Sequence, residues 1–92
     1  MTTASLCIAE HVRASVSSDG LVLLDIAGGA VLSANAVGAR IWQLLEARTP
    51  PDRIAHQIAI EFVVPLDRAS RDVEAFVAAL SARGLVAPGV TT

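Results

Sequence analysis

Three short apolar stretches, the first of them partly alternating with polar residues, are separated by turn residues in the first third of the chain, and this pattern predicts three β-strands. The expected strands are His11–Val16, Leu21–Ile26 and Ala30–Ala34. Apolar side chains at every second position of the first stretch would share one face of a strand. Glycines at positions 20, 28 and 29 fall between the stretches, where glycine suits the positive φ of tight turns. The three strands are expected to form an antiparallel meander.

After Asn35 the apolar residues recur every three or four positions, a spacing that predicts helices. Asn35 is a favourable N-cap because its side-chain oxygen can accept hydrogen bonds from the free amides of a first helical turn. The first helix is expected to reach Glu46. In the second helix Thr49 is expected to be the cap and Pro50 the first helical residue, and Pro65 lies beyond its end.

The third helix is expected to begin near Asp67 and to end at Arg83, where Gly84 can adopt the left-handed conformation that closes many helices. Val77 and Leu80 are expected in the core, and Leu85 should pack back onto it. The apolar stripe of this helix comprises Ala69, Val73, Phe76, Val77 and Leu80.

Three strands followed by three helices predict an α+β domain that resembles a winged helix-turn-helix, with its sheet built from the N-terminal half. The expected domain covers residues 11–86. Residues 1–10 are interpreted as an N-terminal extension and residues 87–92 as a C-terminal tail. A chain of 92 residues is long enough for one such domain with its own core.

Composition and charge argue against nucleic acid as a partner. Apolar residues make up 53% of the chain and charged residues 17%, which is typical of a folded protein. The net charge is −2, and all seven basic residues are scattered arginines. The third predicted helix carries three carboxylates and three arginines, so its net charge is zero. A helix that enters a DNA groove is usually more basic.

The residues that usually carry chemistry are sparse, so no enzyme activity, metal site or cofactor is predicted. His11 and His56 have no acidic or cysteine companion at ligand spacing. Cys7 is the only cysteine and cannot form an internal disulfide, which favours a cytoplasmic protein. The N-terminus lacks the features of a signal peptide, and no stretch approaches the ~20 apolar residues that span a membrane.

The third predicted strand, Ala30–Ala34, contains no lysine or proline. These are the residues with which proteins commonly protect an exposed sheet edge. Its small side chains would also let another backbone approach closely. The sequence therefore predicts an open edge that can accept a strand from another chain.

Several segments, in this order and spacing, resemble the PqqD family, whose members are the precursor-peptide recognition elements of ribosomally made and post-translationally modified peptides. The resemblance covers roughly residues 11–86. The segments that carry it are Asp19–Asp25, Gly29, Asn35–Trp42, Asp72-Val73, Phe76, Leu80 and Arg83–Val86.

The resemblance implies a non-catalytic module that holds the leader segment of a precursor peptide as an extra strand, in a cleft bordered by the third helix. The implied partners are that peptide and a processing enzyme. The stand-alone lasso-peptide type, with a leader peptidase and a cyclase, is preferred over a peptide chaperone for a radical SAM enzyme in PQQ-type cofactor synthesis. The residues expected to bind the peptide are Ala30, Val31, Leu32, Ser33, Ala34, Ala69, Asp72, Val73 and Phe76.

Several roles stay open at this point. Val31 and Leu32 must point to opposite faces of a strand, so one is expected in the core and the other in the cleft. Phe76 could be core or cleft wall. Asp72 could be a solvated carboxylate near Arg68, or an acceptor for a leader side chain. The open edge could also pair with a second copy of the chain to give a homodimer.

Two other classes of function are weighed against the leader-binding module. A winged-helix DNA-binding regulator would need a more basic third helix. A small enzyme would need a catalytic constellation, and the sequence suggests none.

Overall fold

The computed structural model describes residues 6–88. It contains five strands and three helices and confirms the predicted α+β class. The strands are β1 (Leu6–Ile8), β2 (Val12–Ser17), β3 (Gly20–Asp25), β4 (Val31–Asn35) and β5 (Val86–Pro88). The helices are α1 (Ala36–Glu46), α2 (Pro51–Phe62) and α3 (Leu66–Ala82).

The three predicted strands form an antiparallel sheet in the order β2-β3-β4. Leu21 and Leu23 of β3 are almost fully buried on one face, and they lie opposite Ala34 and Leu32 of β4. The third strand begins at Val31, one residue later than predicted. The carbonyl of Ala30 nevertheless accepts a hydrogen bond of 2.9 Å from the Asp25 amide, so the pairing with β3 begins before the strand itself.

A second sheet, which the sequence analysis did not predict, joins the two ends of the described chain. β1 pairs antiparallel with β5, with Cys7 opposite Ala87. The side chains of Leu6 and Ile8 pack against the core. Part of the expected N-terminal extension and part of the expected tail therefore belong to the folded unit. Strands of three residues are too short to show a recognisable alternation, which explains why the pattern did not predict them.

The helix boundaries follow from their capping residues. The Asn35 side chain accepts a hydrogen bond of 3.0 Å from the Gly38 amide, which confirms the predicted N-cap of α1. The predicted start of α2 was wrong by one residue: Pro51 is the first helical residue, Pro50 is the N-cap, and no side chain caps the helix. A residue that precedes a proline is pushed towards extended conformations, and Pro50 accordingly has a ψ of 145°.

The end of α3 confirms the predicted left-handed glycine. Gly84 has a φ of +70°, and the Leu85 amide donates a hydrogen bond of 2.9 Å to the Leu80 carbonyl. This arrangement closes the helix and turns Leu85 into the core, where it is 2% exposed. The largest fully buried side chains of the core are Trp42, Leu23, Ile41, Leu45, Ile54, Ile58 and Leu80.

A surface ion pair connects α1 to α2. Arg40 donates from Nε and Nη2 to the two carboxylate oxygens of Glu61, at 2.8 and 2.9 Å. Gln57 donates a further hydrogen bond to Glu61. The hydrogen bonds from Arg40 and then Gln57 lower the pKa of the Glu61 carboxyl below its ordinary value.

We expect this pair to make stability depend on pH in the acidic range. Because the folded-state pKa of Glu61 is lowered, its stabilisation is present above the unfolded-state pKa and is lost as pH falls through the folded-state pKa. The pair is partly exposed, so the effect should be about 0.2–1 kcal/mol. Urea unfolding at neutral and acidic pH, compared between the native chain and Glu61→Gln, measures it. Equal losses of stability in both proteins on acidification would contradict this assignment.

Candidate functional site

The outer edge of β4 offers unpaired backbone groups. Opposite residues in an antiparallel pair alternate between hydrogen-bonded and non-hydrogen-bonded pairs. The bond from the Asp25 amide to the Ala30 carbonyl marks one bonded pair, and the register makes Leu32 and Ala34 the next bonded residues of β4. The amides and carbonyls of Val31 and Ser33 therefore point away from β3, along the free edge of the sheet.

The opposite edge of the sheet, formed by β2, is partly closed. The bond from the Ile26 amide to the His11 carbonyl marks His11 as a residue that bonds to β3. The next residue, Val12, therefore directs its amide and carbonyl away from β3. The Val12 amide already donates to the Ala9 carbonyl at 3.3 Å, and Arg13 Nη1 donates to the Val12 carbonyl at 3.1 Å. Both outward groups of Val12 are therefore occupied, so this edge is open only along Ala14 and Val16.

A cleft of about 440 Å³ lies between the C-terminal end of β4, α1 and α3. Gly38 allows the three elements to approach closely. A Cβ atom at this position would lie 2.6 Å from Ala34 Cβ and 3.4 Å from Phe76 Cε1. The residues that line the cleft are Ala34, Asn35, Val37, Gly38, Ile41, Arg68, Asp72, Ala75 and Phe76.

Two exposed charges stand on the α3 side of this apolar cleft. Arg68 and Asp72 are four residues apart and share one face of the helix. Neither forms an ion pair within 4 Å with any residue between 6 and 88, whereas the neighbouring Arg71 and Asp67 approach each other at 3.8 Å. Both charges of the cleft are consequently available to a ligand.

Comparison with known families identifies the chain's relatives. The family described as "Coenzyme PQQ synthesis protein D (PqqD)" matches residues 20–86, which include β3, β4 and all three helices. The chain belongs to the PqqD family. No curated protein sequence gives a significant match.

Two solved structures resemble this PqqD-family protein along nearly its whole length. One is TbiB1 in complex with the TbiA(beta) leader peptide, with 32% identity and a TM-score of 0.80; the match covers 91% of this chain and 98% of that one. The other is lasso peptide synthetase B1 complexed with the leader peptide, with 28% identity and a TM-score of 0.81. That match covers 92% of this chain and 100% of the other.

The predicted binding residues fall into three groups in this PqqD-family fold. Ala34, Asp72 and Phe76 line the cleft together, and Phe76 is a half-buried cleft wall. Along β4, Leu32 is half-buried on the core face. Val31 is 61% exposed on the other face of the sheet, so the expectation that it might line the cleft was wrong.

Two of the predicted binding residues are buried and do not line the cleft. Ala69 is 0% and Val73 is 2% exposed. Both belong to the hydrophobic core, and Val73 also borders a groove on the other side of α3. Their place in the apolar stripe at helical spacing already indicated a core face, and that signal outweighs their sequence proximity to Asp72.

The contribution of α1 to the cleft was not predicted from the sequence. Val37, Gly38 and Ile41 of α1 line it. On α3, Ala75 was not predicted, and Arg68 was considered only as a neighbour of Asp72. The signal for Gly38 was present in the sequence, because a glycine inside a helix costs stability and often marks a close approach of backbones.

Chemical groups for catalysis or metal binding do not converge in the part of the chain that the structure describes. Within residues 6–88, no group of three or more His, Cys, Asp or Glu side chains is placed to hold a metal ion. His11 Nε2 lies 3.5 Å from Asp25 Oδ1, but this carboxylate accepts a hydrogen bond from the Gly28 amide and supports the β3–β4 turn.

None of the helices within residues 6–88 has the length and apolar character needed to cross a membrane.

Proposed function

We propose that this protein binds the leader segment of a ribosomally made precursor peptide as a fourth strand along β4, in a lasso-peptide pathway. The observation that carries the proposal is the pair of solved structures, each similar over more than 90% of this chain and each holding a leader peptide. The open edge of β4 supports the same binding mode.

Main-chain hydrogen bonds would supply much of the affinity. An added strand, which we propose to be antiparallel, would bond to the outward amides and carbonyls of Val31 and Ser33. Leader side chains would then alternate between the two faces of the extended sheet. The leader side chains opposite Leu32 and Ala34 would point towards the core face. Of these two, the side chain opposite Ala34 would enter the cleft.

The cleft would supply specificity. Its walls at Val37, Ile41 and Phe76 are apolar and suit an apolar leader side chain. Arg68 and Asp72 on the α3 side would pair with polar or charged groups next to it. This combination of strand addition and a side-chain pocket is a recurring mode of peptide recognition.

We further propose that the protein has no catalytic step of its own and presents the peptide to a separate leader peptidase, which a cyclase follows. A precursor peptide is made in the cytoplasm, and we propose that the binding takes place there.

Leader binding is tested by fluorescence anisotropy with labelled leader peptides from short open reading frames beside this gene. Saturable binding of one of them is expected, and failure of every one to bind would contradict the proposal.

Replacing Phe76 with Ala should weaken leader binding because it removes one apolar wall of the cleft. We expect an affinity loss of about 10- to 100-fold, equivalent to the burial of one large apolar side chain. Val77→Ala is the matched control, since Val77 is also half-buried but lines the other side of α3. Equal affinities of the two variants for the leader in the anisotropy assay would show that the cleft is not the binding site.

A further inference from the structure

A second groove lies between α2 and α3. It measures about 490 Å³ and is largely apolar, with the buried Ala55 and Val73 at its base and the half-buried Val77 beside them. On α3 the groove is lined by positions 70, 73, 74, 77 and 78, whereas the cleft is lined by positions 68, 72, 75 and 76. At 100° per residue these two sets lie on opposite sides of the helix, so both sites can be occupied together.

Two carboxylates border this groove. Asp52 and Glu74 are both exposed, and neither forms an ion pair within 4 Å with any side chain of the described residues 6–88. Asp52 lies in the first turn of α2, where a negative charge stabilises the helix. Glu74 lies in the middle of α3 and has no such role. An apolar groove with two uncompensated negative charges is complementary to an apolar group flanked by positive charge.

We infer that this α2–α3 groove docks a segment of the processing enzyme that presents an apolar side chain beside an arginine or lysine. The inference rests on the proposed function, because delivery of a peptide needs a second surface that the peptide does not cover. The groove fits this requirement, since it lies across α3 from the leader cleft. The leader would then lie on one side of the helix while the enzyme contacts the other.

Charge reversal at Glu74 tests the inference. The full chain, the labelled precursor peptide and the leader peptidase encoded beside it are mixed at a limiting peptidase concentration. Glu74→Arg should lower the cleavage rate about tenfold and leave leader affinity within about twofold of the native protein. Glu46→Arg is the matched control, because Glu46 is an exposed glutamate at the end of α1 that lines neither site. Its cleavage rate and leader affinity should both stay unchanged.

The outcomes separate the inference from the function on which it rests. If the native protein fails to bind the leader, the proposed function itself is wrong. If the leader binds and Glu74→Arg supports cleavage at the native rate, only the docking site is wrong. Loss of leader affinity in Glu74→Arg would place the groove in the leader site and also overturn the inference. If the native protein is a dimer, and Glu74→Arg dissociates it without slowing cleavage, the groove binds a second copy of the chain and the inference is wrong.

Discussion

A Ser33→Pro variant should fold and yet lose most of its affinity for the leader. The Ser33 amide points away from β3, so proline removes no hydrogen bond of the existing sheet. Proline is tolerated at such edge positions. An added strand, however, would find no donor there and would meet the proline ring. We expect a loss of about 1–3 kcal/mol in binding free energy, or several- to a hundredfold in affinity.

Ser33→Ala is the matched control for this variant, because it removes the hydroxyl and keeps the amide. It should bind the leader with native affinity. Circular dichroism checks that both variants are folded, and fluorescence anisotropy measures their binding. A folded Ser33→Pro protein with native affinity would mean that β4 is not the docking edge.

A Leu80→Ala variant should lose a large part of the stability of the domain. Leu80 is 0% exposed, so the truncation leaves a cavity in the core and should cost about 2–5 kcal/mol. Small domains have total stabilities of about 5–15 kcal/mol. Urea unfolding of the variant and the native chain measures the difference directly.

Leu66→Ala is the matched control for Leu80→Ala, since the same truncation is made in the same helix at a leucine that is 43% exposed. It should cost about 1 kcal/mol or less. Leu80→Ala should also bind the leader normally under conditions where it is folded, because Leu80 does not line the cleft. A stability loss no larger than that of Leu66→Ala would contradict the assignment of Leu80 to the core.

The features predicted correctly from the sequence are those fixed by local chemistry. Asn35 caps α1 and Gly84 closes α3, and in each case one residue type satisfies backbone groups within a few positions of itself. The run of residues with β propensity from Leu21, preceded by the turn at Gly20, likewise predicted the central strand β3. Local signals of this kind need no knowledge of the tertiary fold.

The features missed or misplaced depend on contacts between distant residues. The pairing of Cys7 with Ala87 joins strands 80 positions apart, and no local pattern reports it. The cleft walls depend on how closely Gly38 lets α1 approach Ala34 and Phe76. The apolar stripe of α3 indicated that Val73 faces inwards, but it could not show which side of the helix borders the cleft, because that depends on where β4 and α1 lie.

Amide hydrogen exchange, resolved by residue with NMR, tests strand addition at β4 most directly. Without leader, the outward amides of Val31 and Ser33 should exchange rapidly, because no described group accepts a hydrogen bond from them. Saturation with leader should protect these two amides strongly and leave Ala14 and Val16 of the β2 edge unchanged. Protection at β2 or along α2, with Val31 and Ser33 still exchanging rapidly, would contradict the proposed binding mode.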